Sequence, residues 1–142
     1  MAEGQAHPQL RLSLMNNRDA CETARLAVVN FLAFYQADAA AVFSVELILE
    51  EALMNAINHG QLDHEHFIKF RLELQPAAIV LSFEDNGIAF DPTQPRLPEL
   101  PKLIEMAAPG GLGLRLIRQY AESVAYERTQ ECNRLTVAVA RT

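Results

Sequence analysis

The sequence predicts an α+β fold, a two-layer sandwich in which a mixed, mostly antiparallel sheet carries its helices on one face. Two observations predict it. Segments whose apolar residues alternate with period two are interleaved with segments whose apolar residues recur every three or four positions. Their order reads strand, helix, helix, strand, strand, long loop, helix, strand, strand. The chain has 142 residues, 50% of them apolar, which is enough for one well-buried core and too little for two ordinary domains. A single domain over residues 1–142 is expected, with residues 1–8 a disordered tail.

Gln9 to Leu14 alternates polar and apolar residues, the pattern of a half-buried strand. A helix follows, capped by Asn16, Asn17 or Asp19 and running to Tyr35, because Ala20, Ala24, Ala27, Val28, Phe31 and Leu32 form a stripe at helical spacing. Asp38 can cap a second helix reaching His59, with Val45, Leu49, Ala52, Leu53 and Ala56 on its buried side and Gly60 placed to end it. His66–Leu74 and Ala78–Glu84 read as two strands joined by Gln75-Pro76-Ala77, the second more apolar and therefore central.

From Asp91 to Gly110 the composition changes. Prolines at 92, 95, 98, 101 and 109 make this a long loop, and a long loop inside a small domain is more often a functional lid than a connector. Leu112–Tyr120 is expected to be helical. Ser123–Arg128 and Arg134–Ala140 are expected to close the fold as a hairpin through Thr129–Asn133.

Composition narrows the function classes. The net charge is −6, from 18 acidic against 12 basic residues, and the basic ones are scattered in sequence, which disfavours nucleic-acid binding. Apolar runs such as Ala77–Phe83 fall far short of the roughly 20 residues a membrane span needs. The start of the chain lacks a basic cluster followed by an apolar stretch, so a cytoplasmic location is expected. Cys21 and Cys132 have no spacing that suits zinc and are expected to be thiols.

Three elements carry chemistry. On the second helix, Glu46, Glu50 and Glu51 could simply be a solvated face. Glu51 and Asn55, however, lie four apart and so one above the other, with Asn58 a turn further. A carboxylate there can orient or deprotonate a hydroxyl, and an amide oxygen is a hard neutral ligand suited to Mg²⁺. After the central strand comes Glu84-Asp85-Asn86-Gly87. Asp-Asn-Gly is a common turn, but at a strand end Asp85 can also accept from an exocyclic amine such as adenine's, with Gly87 letting the backbone approach a ligand. Finally, Pro109-Gly110-Gly111-Leu112-Gly113 opens a helix. Its glycines are either a hinge or a phosphate cradle, since N–H groups at a helix N-terminus favour anions.

Together, a Glu-x-x-x-Asn helix, a strand ending Asp-x-Gly, and a lid ending Gly-x-Gly before a helix resemble the N, G1 and G2 boxes of the GHKL (gyrase, heat-shock chaperone, histidine kinase, MutL) ATPase superfamily. The run Glu51-Ala-x-x-Asn55-Ala-x-x-His59-Gly60 resembles the RsbW-like anti-sigma factor serine kinases. The resemblance covers roughly residues 10–140. It implies ATP and Mg²⁺, with Glu51 as catalytic base, Asn55 as Mg²⁺ ligand, Asp85 and Gly87 at the adenine, Gly111 and Gly113 on the phosphate side of a lid at 91–110, and Thr136 holding the adenine through water. One departure is Ala89 where many members have a second G1 glycine.

The resemblance further implies a serine/threonine kinase that phosphorylates a STAS-type anti-sigma factor antagonist, sequesters a sigma factor or similar regulator, and can form a homodimer through the first strand and helix. A nucleotide-gated module that binds a partner with little phosphotransfer is the alternative. A sensor histidine kinase is disfavoured, because His7, His59, His64 and His66 do not lie on a dimerisation helix.

Overall fold

The computed structural model describes residues 7–15, 17–59, 67–87 and 113–142. The described elements, in chain order, are β1 (Gln9–Met15), α1 (Asp19–Phe34), α2 (Ala39–His59), β2 (Phe67–Leu74), β3 (Ala78–Asp85), α3 (Gly113–Tyr120), β4 (Ser123–Thr129) and β5 (Cys132–Ala140). Gly60, His64, His66, Ala89, the lid at 91–110 and Gly111 lie outside the described residues. Met1 to Ala6 of the expected tail do too, whereas Pro8 is held to the sheet by its carbonyl, which accepts from the Leu74 N–H at 2.9 Å.

Local chemistry sets the helix ends. Of the candidate caps for α1, Asn16 lies outside the described residues, and Asn17 stands one position before the N-cap Arg18, where its Oδ1 and its carbonyl share the Ala20 N–H, each at 3.1 Å. The helix closes with two reversed bonds, Gln36 N–H to Ala33 and Ala37 N–H to Leu32, at 3.0 and 2.9 Å. This is the Schellman arrangement, and it puts Gln36 at φ 56°, a conformation glycine normally fills. Asp38 caps α2 as expected, its Oδ2 accepting from the Ala40 N–H at 3.2 Å.

The strands form one sheet in the order β1-β2-β3-β5-β4. Every pairing among the described residues is antiparallel, in line with the mostly antiparallel sheet expected and without the parallel pair that would make it mixed. The reason is topological. β3 and β4, linked across α3, run in the same direction, but β5 returns from the final hairpin and inserts between them, so no parallel neighbours form.

Strand periodicity directs alternate residues inward. Leu14, Ile68, Phe70, Leu72, Leu74, Ile79, Leu81, Phe83, Leu135, Val137 and Val139 meet Ala24, Val28 and Leu32 of α1, Val45, Ile48, Leu49 and Leu53 of α2, and Ile117 of α3 in one core. Fully burying a Leu or Ile contributes about 1.5–3 kcal/mol. The helices occupy one face of the sheet and α2 is the central one, packing on α1, α3, β3 and β5. No described element covers the opposite face.

The last hairpin is tighter than expected. Its strands run to Thr129 and from Cys132, leaving only Gln130 and Glu131, both at positive φ (49° and 65°). A two-residue turn with both residues left-handed matches the twist of the flanking strands. It places Asn133 inside β5, opposite Asp85 of β3, rather than in a loop. No described helix is long and apolar enough to cross a membrane.

Candidate functional site

The site begins on α2. Helical spacing from the buried Ile48 and Ala52 carries inward to Asn55, which is 8% exposed. Asn55 is therefore a polar group on a face otherwise given to core packing. Glu51 lies one turn earlier on the flank of that face, half-buried. Its Oε2 is buried with no hydrogen-bond partner among the described residues. Leaving a carboxylate oxygen desolvated and unpaired is costly, and burial first, then repulsion from Glu50, pushes its pKa above the ordinary 4.5. Groups perturbed in this way cluster at functional sites.

The second part is the end of β3. The alternation that buries Ile79, Leu81 and Phe83 turns Asp85 to the same face, just beyond the apolar core. Its Oδ1 accepts from the Gly87 N–H at 2.9 Å, an Asx-type turn, and from Asn133 Nδ2 at 3.0 Å. Asn133 is buried, and its Oδ1 accepts from the Tyr126 hydroxyl. Arg128 donates to the Gly87 carbonyl at 2.7 Å. The Asp-x-Gly turn is thus fastened by Asn133 and Arg128 of the β4–β5 hairpin, with Tyr126 bonded to Asn133 in turn. With Oδ1 committed, Asp85 has Oδ2 to offer an N–H donor.

The third part is α3, whose first residue is Gly113. It is anchored by the fully buried Ile117 and packed against α2. Connectivity and packing therefore bring α2 with Glu51 and Asn55, the β3 end with Asp85 and Gly87, and the start of α3 to one side of the sheet.

Thr136 does not join them. It pairs with Ser82, one step out of phase with Asn133 and Leu135, and lines a groove on the open face with Arg71 and Ser82. The adenine contact expected of it is corrected by that placement, since the sheet itself separates Thr136 from Asp85. Asn133, Tyr126 and Arg128 were missed as site residues. The period-two phase of β5 was the available signal: Leu135, Val137 and Val139 point inward, and so must Asn133.

A model of the histidine kinase-like ATPase domain matches residues 14–139, and the chain belongs to that family. Among curated proteins it is similar to serine/threonine-protein kinase BtrW of Bordetella bronchiseptica, 36% identical over 96 residues, covering 67% of this chain and 68% of that one. Among solved structures, the RsbU and RsbW domains of Rv1364c from Mycobacterium tuberculosis align with a TM-score of 0.68 at 18% identity, over 95% of this chain and 33% of that one. The chain thus spans about a third of that structure. The SiaB–SiaC complex from Pseudomonas aeruginosa aligns with a TM-score of 0.67 at 20% identity, over 92% of this chain and 88% of that one. At such identities these structures support the shared fold.

Proposed function

We propose that this chain is a protein serine/threonine kinase that uses ATP to phosphorylate a STAS-type antagonist protein, and that in its other state it holds a sigma factor or similar regulator. The observation that carries the reading is the orphaned, buried Oε2 of Glu51 one helical turn before the buried Asn55. The similarity to a named serine/threonine-protein kinase and the resemblance of the Glu51–Gly60 run to the RsbW-like anti-sigma factor serine kinases support the substrate class.

The roles follow from the chemistry. Asp85 Oδ2 accepts the exocyclic amine of adenine while Asn133 and Gly87 fix Oδ1. Glu51 receives the proton of the substrate hydroxyl, and its raised pKa makes it a better base than an ordinary carboxylate. Gly111 and Gly113 are proposed to hold phosphate oxygens ahead of α3. The donor set fits Mg²⁺: a neutral amide oxygen at Asn55 can supply one hard ligand beside phosphate oxygens, the way this ion is commonly held. When bound, Mg²⁺ would neutralise phosphate charge. Such catalysis is positioning and electrostatics, with no covalent intermediate on the protein.

The test is incubation with γ-labelled ATP and a STAS-domain protein, followed by mass spectrometry of that protein. Phosphoserine or phosphothreonine is the expected product. Tight ATP binding with no transfer to any STAS-domain protein would instead favour a nucleotide-gated sequestering module.

A further inference from the structure

We infer that the open face of the sheet is a docking surface for an acidic segment of a protein partner, held by Arg11, Lys69 and Arg71. The strand register carries the inference. Arg11 and Arg71 stand directly opposite each other on β1 and β2, a like-charge cross-strand pair that costs stability. Lys69 lies two residues from Arg71 on the same outward face, opposite Glu84 of β3.

Compensation goes elsewhere. Glu84 Oε2 is held by Arg134 Nη2 and Nε at 2.8 and 3.1 Å. Arg11 donates to the neutral Gln9 amide oxygen at 3.2 and 3.1 Å, while Glu73 is engaged by Gln9 and Gln75. Arg11, Lys69 and Arg71 are all exposed and have no ion-pair partner among the described residues, in a chain whose net charge is −6.

These side chains line an open groove of about 540 Å³, together with the Glu84–Arg134 pair and the hydroxyls of Ser13, Ser82 and Thr136. One row crosses the sheet as Arg11, Arg71, Ser82, Thr136. At a strand spacing of about 4.8 Å it spans about 14 Å, too long for one small anion and suited to successive acidic side chains of a peptide. A second copy meeting this face through its own would set arginine against arginine. A nucleic-acid backbone, whose charges recur every few Å along its length, would need a longer basic track than the three cations on β1 and β2 supply.

The surface is independent of the nucleotide site, so its failure and that of the kinase reading are distinguishable. The probe is a short poly-aspartate peptide titrated into the full chain and followed by amide NMR shifts. Shifts at Arg11, Ser13, Lys69, Arg71, Ser82 and Thr136 are expected, with affinity reduced about tenfold by Arg11→Gln with Arg71→Gln. Because Arg71→Gln removes a repulsion, its melting temperature should equal or exceed that of the wild type. No shifts, shifts centred on Asp85 and Gly87, a lower melting temperature in Arg71→Gln, or tighter binding of a single-stranded oligonucleotide at the same amides would each overturn the assignment.

Discussion

Glu51 is a carboxylate that the fold makes expensive to ionise. Its pKa is raised by burial and by Glu50, so the folded chain binds that proton more tightly than the unfolded chain. The stability this contributes is complete below the unfolded value near 4.5 and is lost as pH rises through the higher folded value. Glu51→Gln should therefore melt above the wild type at neutral pH, by a small margin because solvent screens a half-exposed group. The gap should close on acidification, as differential scanning calorimetry across pH would show. The same substitution should lower phosphoryl transfer at least about 100-fold. Asn133 belongs to this scale too. Asn133→Ala leaves the Tyr126 hydroxyl and Asp85 Oδ1 short of a partner, at a cost of about 1–3 kcal/mol, and should weaken adenine-nucleotide binding about tenfold by calorimetric titration. Lower stability with unchanged affinity would reduce Asn133 to a structural residue. Glu51 and Asn55 were legible because helical spacing alone stacks them. Asn133 was only half legible, because the alternation of β5 marks its face but the tight turn is what extends the strand to it.

That turn shows what happens at the scale of elements. Gln130 and Glu131 both take left-handed angles although neither is a usual turn residue, so their sequence suggested a longer loop and a shorter β5. Pairing along the hairpin overrides their local preference. Replacing them with the favoured pair, Gln130→Asn with Glu131→Gly, should stabilise the chain by about 1 kcal/mol, measurable by urea unfolding. A loss of stability would mean the turn is not of this type. Gln36, left-handed at the end of α1, was hidden for the same reason. The Asp38 cap, by contrast, was readable, because the residue type and its place before an apolar helix agree with the hydrogen bond it makes.

Across the molecule, the two sheet faces divide the work. The helix-bearing face holds the core, Asp85 and Asn133, and α2 ties it to Glu51 and Asn55. The α+β class and element order were legible from hydrophobic period. Strand order was not, since the insertion of β5 between β3 and β4 is a long-range pairing with no local signature, whereas the outward face of Thr136 follows from the alternation of Leu135, Val137 and Val139 alone. A site that reads adenine through Asp85 should also couple nucleotide to global stability. Saturating ATP should raise the melting temperature of the wild type by several degrees, GTP should raise it much less, and Asp85→Asn should abolish the difference.

The most direct test of the kinase account measures ATP affinity and phosphoryl transfer side by side in the wild type, Glu51→Gln and Asp85→Asn. Glu51→Gln is expected to bind ATP within about threefold of the wild type while transferring almost nothing, and Asp85→Asn to lose affinity about tenfold or more. Transfer at the wild-type rate by Glu51→Gln would contradict the assignment of Glu51 as the base, and with it the chemistry proposed for this site.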